Sequence, residues 1–594
     1  MQTIKILFDL LSYSERKQAF VLLIMILFMA LLDMIGIASI MPFIAILTNP
    51  TLIETNEVLS YFYNLGNFNN FNEFFIISGL FVIVLLCLSL AFKALTIYTQ
   101  LRFALMREYS IGKKLIEGYL DQPYSWFLNR HSANLGKNIL SEVGNVISGG
   151  MMPMMTLIAQ SSVAISIFIL LLIIDPKLSI TVALVLGISY TLIYKFVRSF
   201  LDRIGKERFI ANKDRFNSVN EAFGAVKEVK LSGLEDVYLN RFSDPAKIYA
   251  SNQATAQVVT QIPRFALEAI AFGGLLSIIV FLISKNQNFT SILPTLSLFA
   301  FAGYRLLPAF QQIYASLTQI KFADAALKAL HSDFMNLKIH KFENSKKVFS
   351  FTKDIKLENI SFVYPKANIS ALKKINLVIN PKKTIGFVGM TGSGKTTIVD
   401  VILGLLDPSS GSLKIDNNIV NNSNKRLWQS MIGYVPQSIY LIDDSIEANI
   451  AFGVKKNLVN SNKVKKVSKI ANLHNFIINE LPNGYQTKVG DKGIRLSGGQ
   501  KQRIGIARAL YNNPKVLIFD EATSALDNIT EGKVMEAVYR LSQEMTIIII
   551  AHRLTSIKKC DAIFHIENGL IRSSGTYDEL LKSDKKFKKM ASEQ

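Results

Sequence analysis

Long apolar stretches in the first half of the chain limit its fold more than any other feature. A helix needs about 20 mostly apolar residues to cross a bilayer, and six stretches are long enough. They lie roughly at residues 18 to 48, 73 to 101, 150 to 174, 177 to 200, 258 to 284 and 290 to 318. After residue 330 no stretch qualifies. The pattern predicts an α-helical membrane domain of six spans, followed by a domain of another kind.

The placement of lysine and arginine predicts the orientation in the membrane. The connection 49 to 72 holds Glu54 and Glu57 and no basic residue, whereas the segments 102 to 149 and 195 to 250 are rich in Lys and Arg. Cytoplasmic loops have an excess of these two residue types. We therefore expect a multi-pass protein of a bacterial inner (cytoplasmic) membrane, with the N-terminus and the second domain in the cytoplasm.

The net charge of +21 raises the question of a nucleic-acid partner. The basic residues are scattered, and no stripe of basic and aromatic residues marks a base-stacking surface. We attribute the charge to membrane topology and a lysine-rich composition, and expect no nucleic acid. The two cysteines, Cys87 and Cys560, give neither a disulfide framework nor the spacing of metal ligands.

The second half alternates short Ile/Val runs with amphipathic runs, as in "TIGFVG" followed by "TTIVDVILGLL". This is the pattern of an α/β domain with a parallel sheet covered by helices. We divide the chain into a membrane domain at 1–330, a polar linker at 331–354 and an α/β domain at 355–594. The membrane domain is expected to extend long helices into the cytoplasm. Its start, "MQTIKILFDLLSYSERK", has the apolar spacing of an interfacial amphipathic helix.

A glycine-rich motif opens the α/β domain. "GMTGSGKT", Gly389 to Thr396, follows a predicted strand and precedes a helix, which is the context of a phosphate-binding loop. Its backbone N–H groups would surround phosphate oxygens at a helix N-terminus. Lys395 would neutralise the β- and γ-phosphates, and the Thr396 hydroxyl would bind Mg²⁺. The candidate nucleotide-binding residues of the loop are Gly389, Thr391, Gly392, Ser393, Gly394, Lys395, Thr396 and Thr397.

A second motif supplies the acids that such a loop requires. "VLIFDE", Val516 to Glu521, is an apolar strand ending in two carboxylates. Asp520 is placed to hold Mg²⁺, and Glu521 to orient an attacking water. Phosphoryl transfer to water depends on positioning and charge neutralisation, which these residues offer.

Between the two motifs lies "LSGGQ", Leu496 to Gln500, and here the chain resembles the ATP-binding cassette (ABC) exporter family over its full length. The resemblance implies a half-transporter with six transmembrane helices followed by a P-loop ATPase domain. It implies an ATP hydrolase coupled to transmembrane transport, with ATP and Mg²⁺ as cofactors.

The resemblance also implies roles for single residues. Tyr364 matches the aromatic residue that stacks on adenine, and Gln437 the glutamine that reaches Mg²⁺. His552 matches the histidine that holds the γ-phosphate, and Asp527 lies in the loop that faces the partner cassette. In the signature, Ser497 and its neighbours contact nucleotide bound by the opposite cassette. The signature residues are Ser497, Gly498, Gly499 and Gln500.

Because each chain then holds two half-sites, the resemblance implies a dimer. Every catalytic position is intact, including Glu521, which favours a homodimer with two working sites over a heterodimer. A nucleotide-gated channel or regulatory ATPase is the alternative of another class. The intact base Glu521 argues against it, since a gate needs ATP binding more than ATP turnover.

Charges inside the spans bear on the substrate. At ~1.5 Å per residue, Arg305 and Asp33 lie ~22 Å and Glu268 ~25 Å from the outer ends of their spans. Arg264 and Lys93 fall a turn or two deeper. An Arg305–Glu268 ion pair could simply tie two helices together. Alternatively, the basic residues hold an anionic head group in a water-filled cavity, where Arg suits bidentate contact with phosphate. The candidate substrate residues are Arg305, Arg264, Glu268 and Lys93.

Three membrane stretches favour the second interpretation. "DMIGIASIMPFIAIL", "IPRFALEAIAFG" and "YRLLPAFQQI" resemble segments of PglK-type flippases of lipid-linked oligosaccharides. This resemblance implies movement of a polyprenyl-pyrophosphate-linked oligosaccharide from the cytoplasmic to the outer leaflet, with membrane lipid and a lipid-linked glycan as partners. Exporters of peptides, lipids or drugs share the architecture and remain the alternative.

Overall fold

The computed structural model describes residues 2–50, 52–66, 68, 70–284, 289–337, 351–522, 527–551 and 553–592. They form two compact units. One unit contains Met1–Gln122 and Arg130–Ile339, and the other contains Pro123–Asn129 and His340–Gln594. A helical unit therefore precedes an α/β unit in the chain, which confirms the predicted fold class.

The first unit is helical throughout its described residues. Its helices, with the short α7 of the second unit in its place in the chain, are α1 (Gln2–Asp9), α2 (Tyr13–Ala38), α3 (Ile40–Thr48), α4 (Leu52–Thr55), α5 (Glu57–Leu65), α6 (Phe71–Leu120), α7 (Tyr124–Phe127), α8 (Ser132–Lys137), α9 (Val143–Val146), α10 (Met152–Ile174), α11 (Pro176–Gly224), α12 (Val226–Ser232), α13 (Glu235–Ser284) and α14 (Phe289–Asn336). Two π-helical turns, Asn138–Glu142 and Ile147–Met151, flank α9.

Within the described residues, four helical stretches are long and apolar enough to cross a membrane. They are Tyr13–Thr48, Phe71–Leu120, Ser132–Ile174 and Ser179–Gly224. The fifth and sixth predicted spans fall in α13 and α14, where many side chains lie outside the described set. The count of six spans stays a prediction. Helix α14 continues past the predicted domain end at 330, and most of the predicted linker lies outside the described residues.

The core of the helical unit lies between α2, α10 and α14. Leu22 and Ile26 of α2 pack with Ile167 of α10 and with Leu298 and Leu306 of α14. All five side chains are almost fully buried. This packing brings α2 against α14, the two helices that contain Asp33 and Arg305.

The N-terminal helix is partly anchored to the unit. Leu7 and Leu11 are buried, whereas Ile4 and Phe8 are about half exposed. A Ser12 capping box begins the following helix, with Glu15 Oε2 accepting from Ser12 N over 2.6 Å. The predicted helix is therefore present, and its location at the membrane interface stays a prediction.

Two sheets form the second unit. The strands are β1 (Ile355–Val363), β2 (Ser370–Ile379), β3 (Thr384–Val388), β4 (Ser410–Ile415), β5 (Asn418–Ile419), β6 (Ile432–Val435), β7 (Val516–Asp520), β8 (Thr546–Ile550), β9 (Ala562–Glu567) and β10 (Leu570–Gly575). An antiparallel sheet has the order β2-β1-β4-β5, and the larger sheet has the order β10-β9-β3-β8-β7-β6. Strands β9, β3, β8, β7 and β6 are parallel, so their carboxyl ends meet at one edge.

Helices and short 3₁₀ turns complete this unit. The helices are α15 (Lys395–Ile402), α16 (Lys425–Ser430), α17 (Ile446–Ile450), α18 (Ser461–Ile470), α19 (His474–Glu480), α20 (Gly498–Tyr511), α21 (Asn528–Leu541), α22 (Tyr577–Ser583) and α23 (Lys585–Ser592). The 3₁₀ turns are Lys456–Leu458, Gly484–Gln486, Asp491–Gly493 and Leu554–Ile557. Every residue of β3, β7 and β8 is buried. These three buried strands therefore hold the loops at their carboxyl ends in fixed positions.

Candidate functional site

The phosphate-loop motif connects β3 to α15. Gly389 has φ +155° and Gly394 has φ +107°, values that side chains rarely allow. A Cβ on Gly389 would lie 2.2 Å from the carbonyl oxygen of Ile566. Glycine is therefore required at this position for the loop to turn against the neighbouring strand. The turn places the loop at the N-terminus of α15, where backbone N–H groups favour an anion.

Lys395 lies across this loop. Its Nζ donates to the carbonyl oxygens of Gly389 at 2.7 Å and Met390 at 3.0 Å. Burial lowers the pKa of Lys395, and Glu521 and Asp520 oppose that effect. The Ser393 Oγ is buried and has no hydrogen-bond partner among the described residues. A buried cation and an orphaned hydroxyl in one loop fit the phosphate oxygens of a nucleotide.

Asp520 is the last residue of β7, which pairs with β8 and β6, and Glu521 follows it. Asp520 is buried and accepts a hydrogen bond from the Tyr434 hydroxyl over 3.1 Å. Burial raises the pKa of Asp520, and the charge of Glu521 adds to the rise. Such a carboxylate is stabilised in its ionised form by a divalent cation.

The backbone turns away from the direction of β7 at Glu521. Its φ is +51°, and its backbone N–H donates to the carbonyl oxygen of Ile550 over 3.1 Å. A left-handed conformation costs a non-glycine residue about 1 to 3 kcal/mol and is concentrated at functional sites. Gln437 Nε2 donates to Glu521 Oε2 over 2.6 Å. The structure therefore brings Gln437 directly to the acid that the sequence assigns as the base.

A metal in this site would need ligands beyond the protein. Within the described residues there is no group of three or more His, Cys, Asp or Glu side chains that could hold one. The predicted ligands are instead the Thr396 hydroxyl, Asp520 and Gln437, all oxygen donors. Mg²⁺ prefers this combination, since it binds few protein groups and completes its shell with water and phosphate. The residues present therefore fit Mg²⁺ bound jointly with a nucleotide.

Tyr364 lies next to the loop through Thr397. The two hydroxyl oxygens are 2.9 Å apart, and the Tyr364 ring meets Phe362 edge to face at 5.0 Å. The ring is only partly buried. Its hydroxyl thus fixes the ring beside the first turn of α15, and its assignment to adenine stays a prediction.

The signature motif forms a helix N-terminus. Ser497 caps α20: its Oγ accepts from Gln500 N at 3.3 Å, and Gln500 Oε1 accepts from Ser497 N at 2.8 Å. Asp527 caps α21 in a similar way by accepting from Thr530 N at 2.9 Å. Ser497 is exposed, and Gly499 is partly exposed. His552 lies outside the described residues, and its role stays a prediction.

The helical unit contains a second candidate site. Asp33 is only 2% exposed and accepts a hydrogen bond from Ser89 Oγ over 2.7 Å. Lys93 Nζ lies 3.4 Å from Asp33 Oδ2, and Arg305 NH1 lies 3.7 Å from Asp33 Oδ1. Lys93, expected a turn or two deeper than Arg305, reaches the same carboxylate. Three helices, α2, α6 and α14, thereby meet in one charged cluster.

A cavity of about 480 Å³ opens beside this cluster. Lys93 and Arg305 line it, as do Gln100 and Gln160, and apolar walls come from Ile97, Leu101, Met155 and Val163. The Gln100 Nε2 is buried without a hydrogen-bond partner among the described residues. The cavity therefore combines two cations and an unused amide donor with apolar walls.

The alternative in which Arg305 pairs with Glu268 does not agree with the structure. Glu268 Oε1 lies 2.6 Å from Arg264 Nε, one turn away on the same helix, while Arg305 pairs with Asp33. Residues four apart on a helix are neighbours whatever the packing between helices. Arg264 is also half exposed, and the structure does not place it in the Asp33 cluster. The sequence interpretation missed Ser89. It lies four residues before Lys93 on α6, and this spacing places both residues on the helix face that contacts Asp33.

Comparisons with known families match both units. Residues 372–524 match the family described as ABC transporter, and residues 18–305 match the ABC transporter transmembrane region. The ATP-dependent lipid A-core flippase of Ralstonia nicotianae is 30% identical over 483 residues, covering 80% of this chain and 80% of the relative. The heterocyst differentiation ATP-binding protein HepA of Nostoc sp. is 30% identical over 478 residues, covering 79% and 76%.

A solved structure shares the fold. It is described as a bacterial Atm1-family ABC exporter with ATP bound, and it aligns with a TM-score of 0.79 over 98% of both chains. The sequence identity is 20%. At this identity the likeness shows the fold of the full chain and leaves the cargo to be argued from the residues of this protein.

Proposed function

Because the chain belongs to the ABC transporter family and is an ATP-hydrolysing half-transporter of the exporter type, we propose that it flips an amphipathic, anionic lipid from the cytoplasmic to the outer leaflet of the bacterial inner membrane. We propose further that this lipid is a polyprenyl-pyrophosphate-linked oligosaccharide. The single observation behind the proposal is the cavity beside Arg305 and Lys93 in the helical unit.

The charge of the cavity selects for an anion. Two cations and one carboxylate leave the Asp33 cluster with a net charge of +1. Ionisable side chains within membrane spans are costly and mark pathways for polar cargo. Arg305 offers a planar fork suited to phosphate, and Lys93 adds a point charge. An anionic head group that enters the cavity from water could therefore contact both Arg305 and Lys93.

The remaining walls suit a lipid more than a soluble anion. Ile97, Leu101, Met155 and Val163 line the cavity, so apolar parts of a ligand keep apolar contact. The relatives described above include a protein named as a lipid A-core flippase, which favours a lipid cargo over a peptide or drug. A transporter in turn is favoured over a gated channel, because the Ralstonia relative is named as a flippase.

ATP turnover follows from the residues of the cassette. Bound MgATP supplies the phosphoanhydride and a divalent charge that stabilises the leaving oxygen. Lys395 and the Ser393 hydroxyl hold phosphate oxygens, and the Glu521 carboxylate takes a proton from the attacking water. Gln437 orients Glu521 through its amide. All of these roles require the nucleotide phosphates to lie at the loop, and the buried Lys395 is placed there to bind them.

We assign the working form to a homodimer. The exposed Ser497 and partly exposed Gly499 at the N-terminus of α20 are free to meet nucleotide held by a second copy. A helix N-terminus favours negative charge, which suits the γ-phosphate. Two identical chains would complete two identical sites, since all the catalytic positions are present in this chain.

The test is reconstitution in liposomes with three classes of cargo. Purified protein is screened for ATPase stimulation and flipping with a polyprenyl-pyrophosphate glycan, a peptide and a cationic drug. Arg305→Ala should stop flipping of the glycan lipid while basal ATPase persists, and Arg305→Lys should restore only part of the flipping. Arg241→Ala, at an exposed pair with Glu221, serves as the control. Full flipping by Arg305→Ala, or stimulation by the drug alone, would exclude the proposed cargo.

A further inference from the structure

Asp33 is more deeply buried than the two cations that it contacts. Its side chain is 1% exposed, whereas those of Arg305 and Lys93 are 20% and 23% exposed. The cations line the cavity, and the carboxylate is not among the lining residues. Asp33 therefore lies behind Arg305 and Lys93 as seen from the cavity.

A carboxylate that only tied helices together would need one cation. Here it has two, and Ser89 donates a third polar contact to Oδ1 over 2.7 Å. A buried carboxylate is costly unless it is paired and hydrogen-bonded. These contacts hold the Asp33 side chain in place, and two cations against one carboxylate leave one positive charge uncompensated on the cavity wall.

We propose that Asp33 is an internal counter-ion that sets how tightly the cavity holds an anionic head group. This inference rests on the proposed function. When a head group binds, its oxygens compete with Asp33 for Arg305 and Lys93. When the head group leaves, Asp33 pairs with both cations again. The cavity thus holds its cargo firmly enough to select it and weakly enough to release it.

Competition of this kind favours a multiply charged head group. A lipid monophosphate has about −1.5 to −2 charge at pH 7, all of it on one phosphorus, and it must also leave water. A pyrophosphate has more charge and more acceptor oxygens than one carboxylate, so it competes for both cations at once. The two cations therefore favour lipid pyrophosphates over lipid monophosphates, and Asp33 lowers the affinity for both.

The test measures binding without turnover. Full-length protein in phosphatidylcholine nanodiscs, free of nucleotide, is titrated with fluorescent geranylgeranyl pyrophosphate and with the matching monophosphate. Asp33→Asn removes the competing charge and should bind the pyrophosphate about tenfold more tightly. It should also bind the monophosphate more tightly but by a smaller factor, because the less charged ligand is repelled less by Asp33. The tighter complex should also release its cargo more slowly.

Two further variants separate the inference from a general effect on folding. Ser89→Ala keeps the charge of Asp33 but loosens its position, and should shift the affinity in the same direction by a smaller factor. Asp202→Asn removes a carboxylate that pairs with two lysines, Lys206 and Lys321, and is not among the residues that line the cavity. It should leave the affinity unchanged. If Asp33→Asn does not fold, Ser89→Ala decides the question.

The outcomes distinguish this inference from the proposed function. If wild-type protein binds the pyrophosphate but Asp33→Asn binds it equally or more weakly, Asp33 is a structural tie and only the inference is wrong. An unchanged affinity in Ser89→Ala, where Asp33→Asn does not fold, has the same meaning. If the wild-type protein binds neither probe, the proposed function fails and the inference fails with it.

Discussion

Gln437 donates a 2.6 Å hydrogen bond to Glu521, the acid that follows the buried strand β7. The contact holds the Oε2 oxygen of the Glu521 carboxylate. Since Glu521 is held in a left-handed conformation, its position is set by the turn after β7 as well as by Gln437. Gln437, two residues after the end of β6, therefore helps to orient the Glu521 carboxylate.

Glu521→Gln should lower ATP turnover by about a hundredfold or more while ATP binding is retained. General bases contribute about 10²- to 10⁴-fold, and the amide keeps the shape of the side chain without its basicity. The measurement is ATPase rate together with nucleotide binding on the same preparation. Glu536→Gln, at an exposed pair with Arg540, is the control. Hydrolysis at the wild-type rate would remove Glu521 from its role.

Tyr434→Phe should weaken the response to Mg²⁺ more than it weakens catalysis. The Tyr434 hydroxyl holds Asp520 Oδ2 at 3.1 Å, and ring packing is unaffected by its loss. We expect the Mg²⁺ concentration for half-maximal ATPase to rise roughly threefold to tenfold, since one hydrogen bond contributes about 1 kcal/mol. Maximal rate at saturating Mg²⁺ should stay near that of the wild type. Tyr485→Phe, whose hydroxyl lies 2.8 Å from His474, is the matched control. Equal Mg²⁺ curves for the three proteins would contradict a positioning role.

Asp400→Asn should stabilise the protein above pH 6 and have no effect near pH 4. Burial, helped by the charge of Asp520, raises the pKa of Asp400 from 3.8 to about 6. The folded state therefore binds this proton more tightly than the unfolded state, so the fold loses stability as the pH rises from about 4 to about 6, and the loss is complete above pH 6. Thermal unfolding at pH 8, without nucleotide or Mg²⁺, should rise by a few degrees, at most about 2 to 3 kcal/mol in stability. A gain that persists at pH 4, or an equal gain for the exposed Asp443→Asn, would rule out this cause.

The cassette was predictable because its motifs sit on a parallel sheet. Strands β3 and β7 end at the same edge, so the topology alone brings Lys395 and Asp520 near enough to interact electrostatically. The contact between Gln437 and Glu521 could not be predicted in this way. It depends on the positive φ of Glu521, which no spacing in the sequence indicates.

The membrane cluster was predictable only in part. The depth of Arg305 and Asp33 follows from counting residues along each span, and their contact confirms the shared level. The rotation of each helix about its own axis does not follow, because apolar residues surround both helices and mark no single face. A pair between Glu268 and Arg305 was therefore considered as an alternative, although Arg264 lies four residues from Glu268 on the same helix.

The assignment of Ser497 to the opposite cassette can be tested with two arrangements of the same two mutations. In a mixed dimer with Ser497→Arg in one chain and Lys395→Ala in the other, a site shared between chains keeps one loop and one signature intact together. With both mutations in one chain and a wild-type partner, each shared site contains one defect. We expect substantial ATPase, about half that of the wild type where the two sites work independently, in the first arrangement and almost none in the second, since Lys395 and Ser497 act on the same nucleotide. Purified dimers with two affinity tags allow both rates to be measured. If each chain instead held a complete site, the order would reverse, because the wild-type partner of the second arrangement would keep its own site. Activity confined to the second arrangement would therefore show that Ser497 serves its own chain.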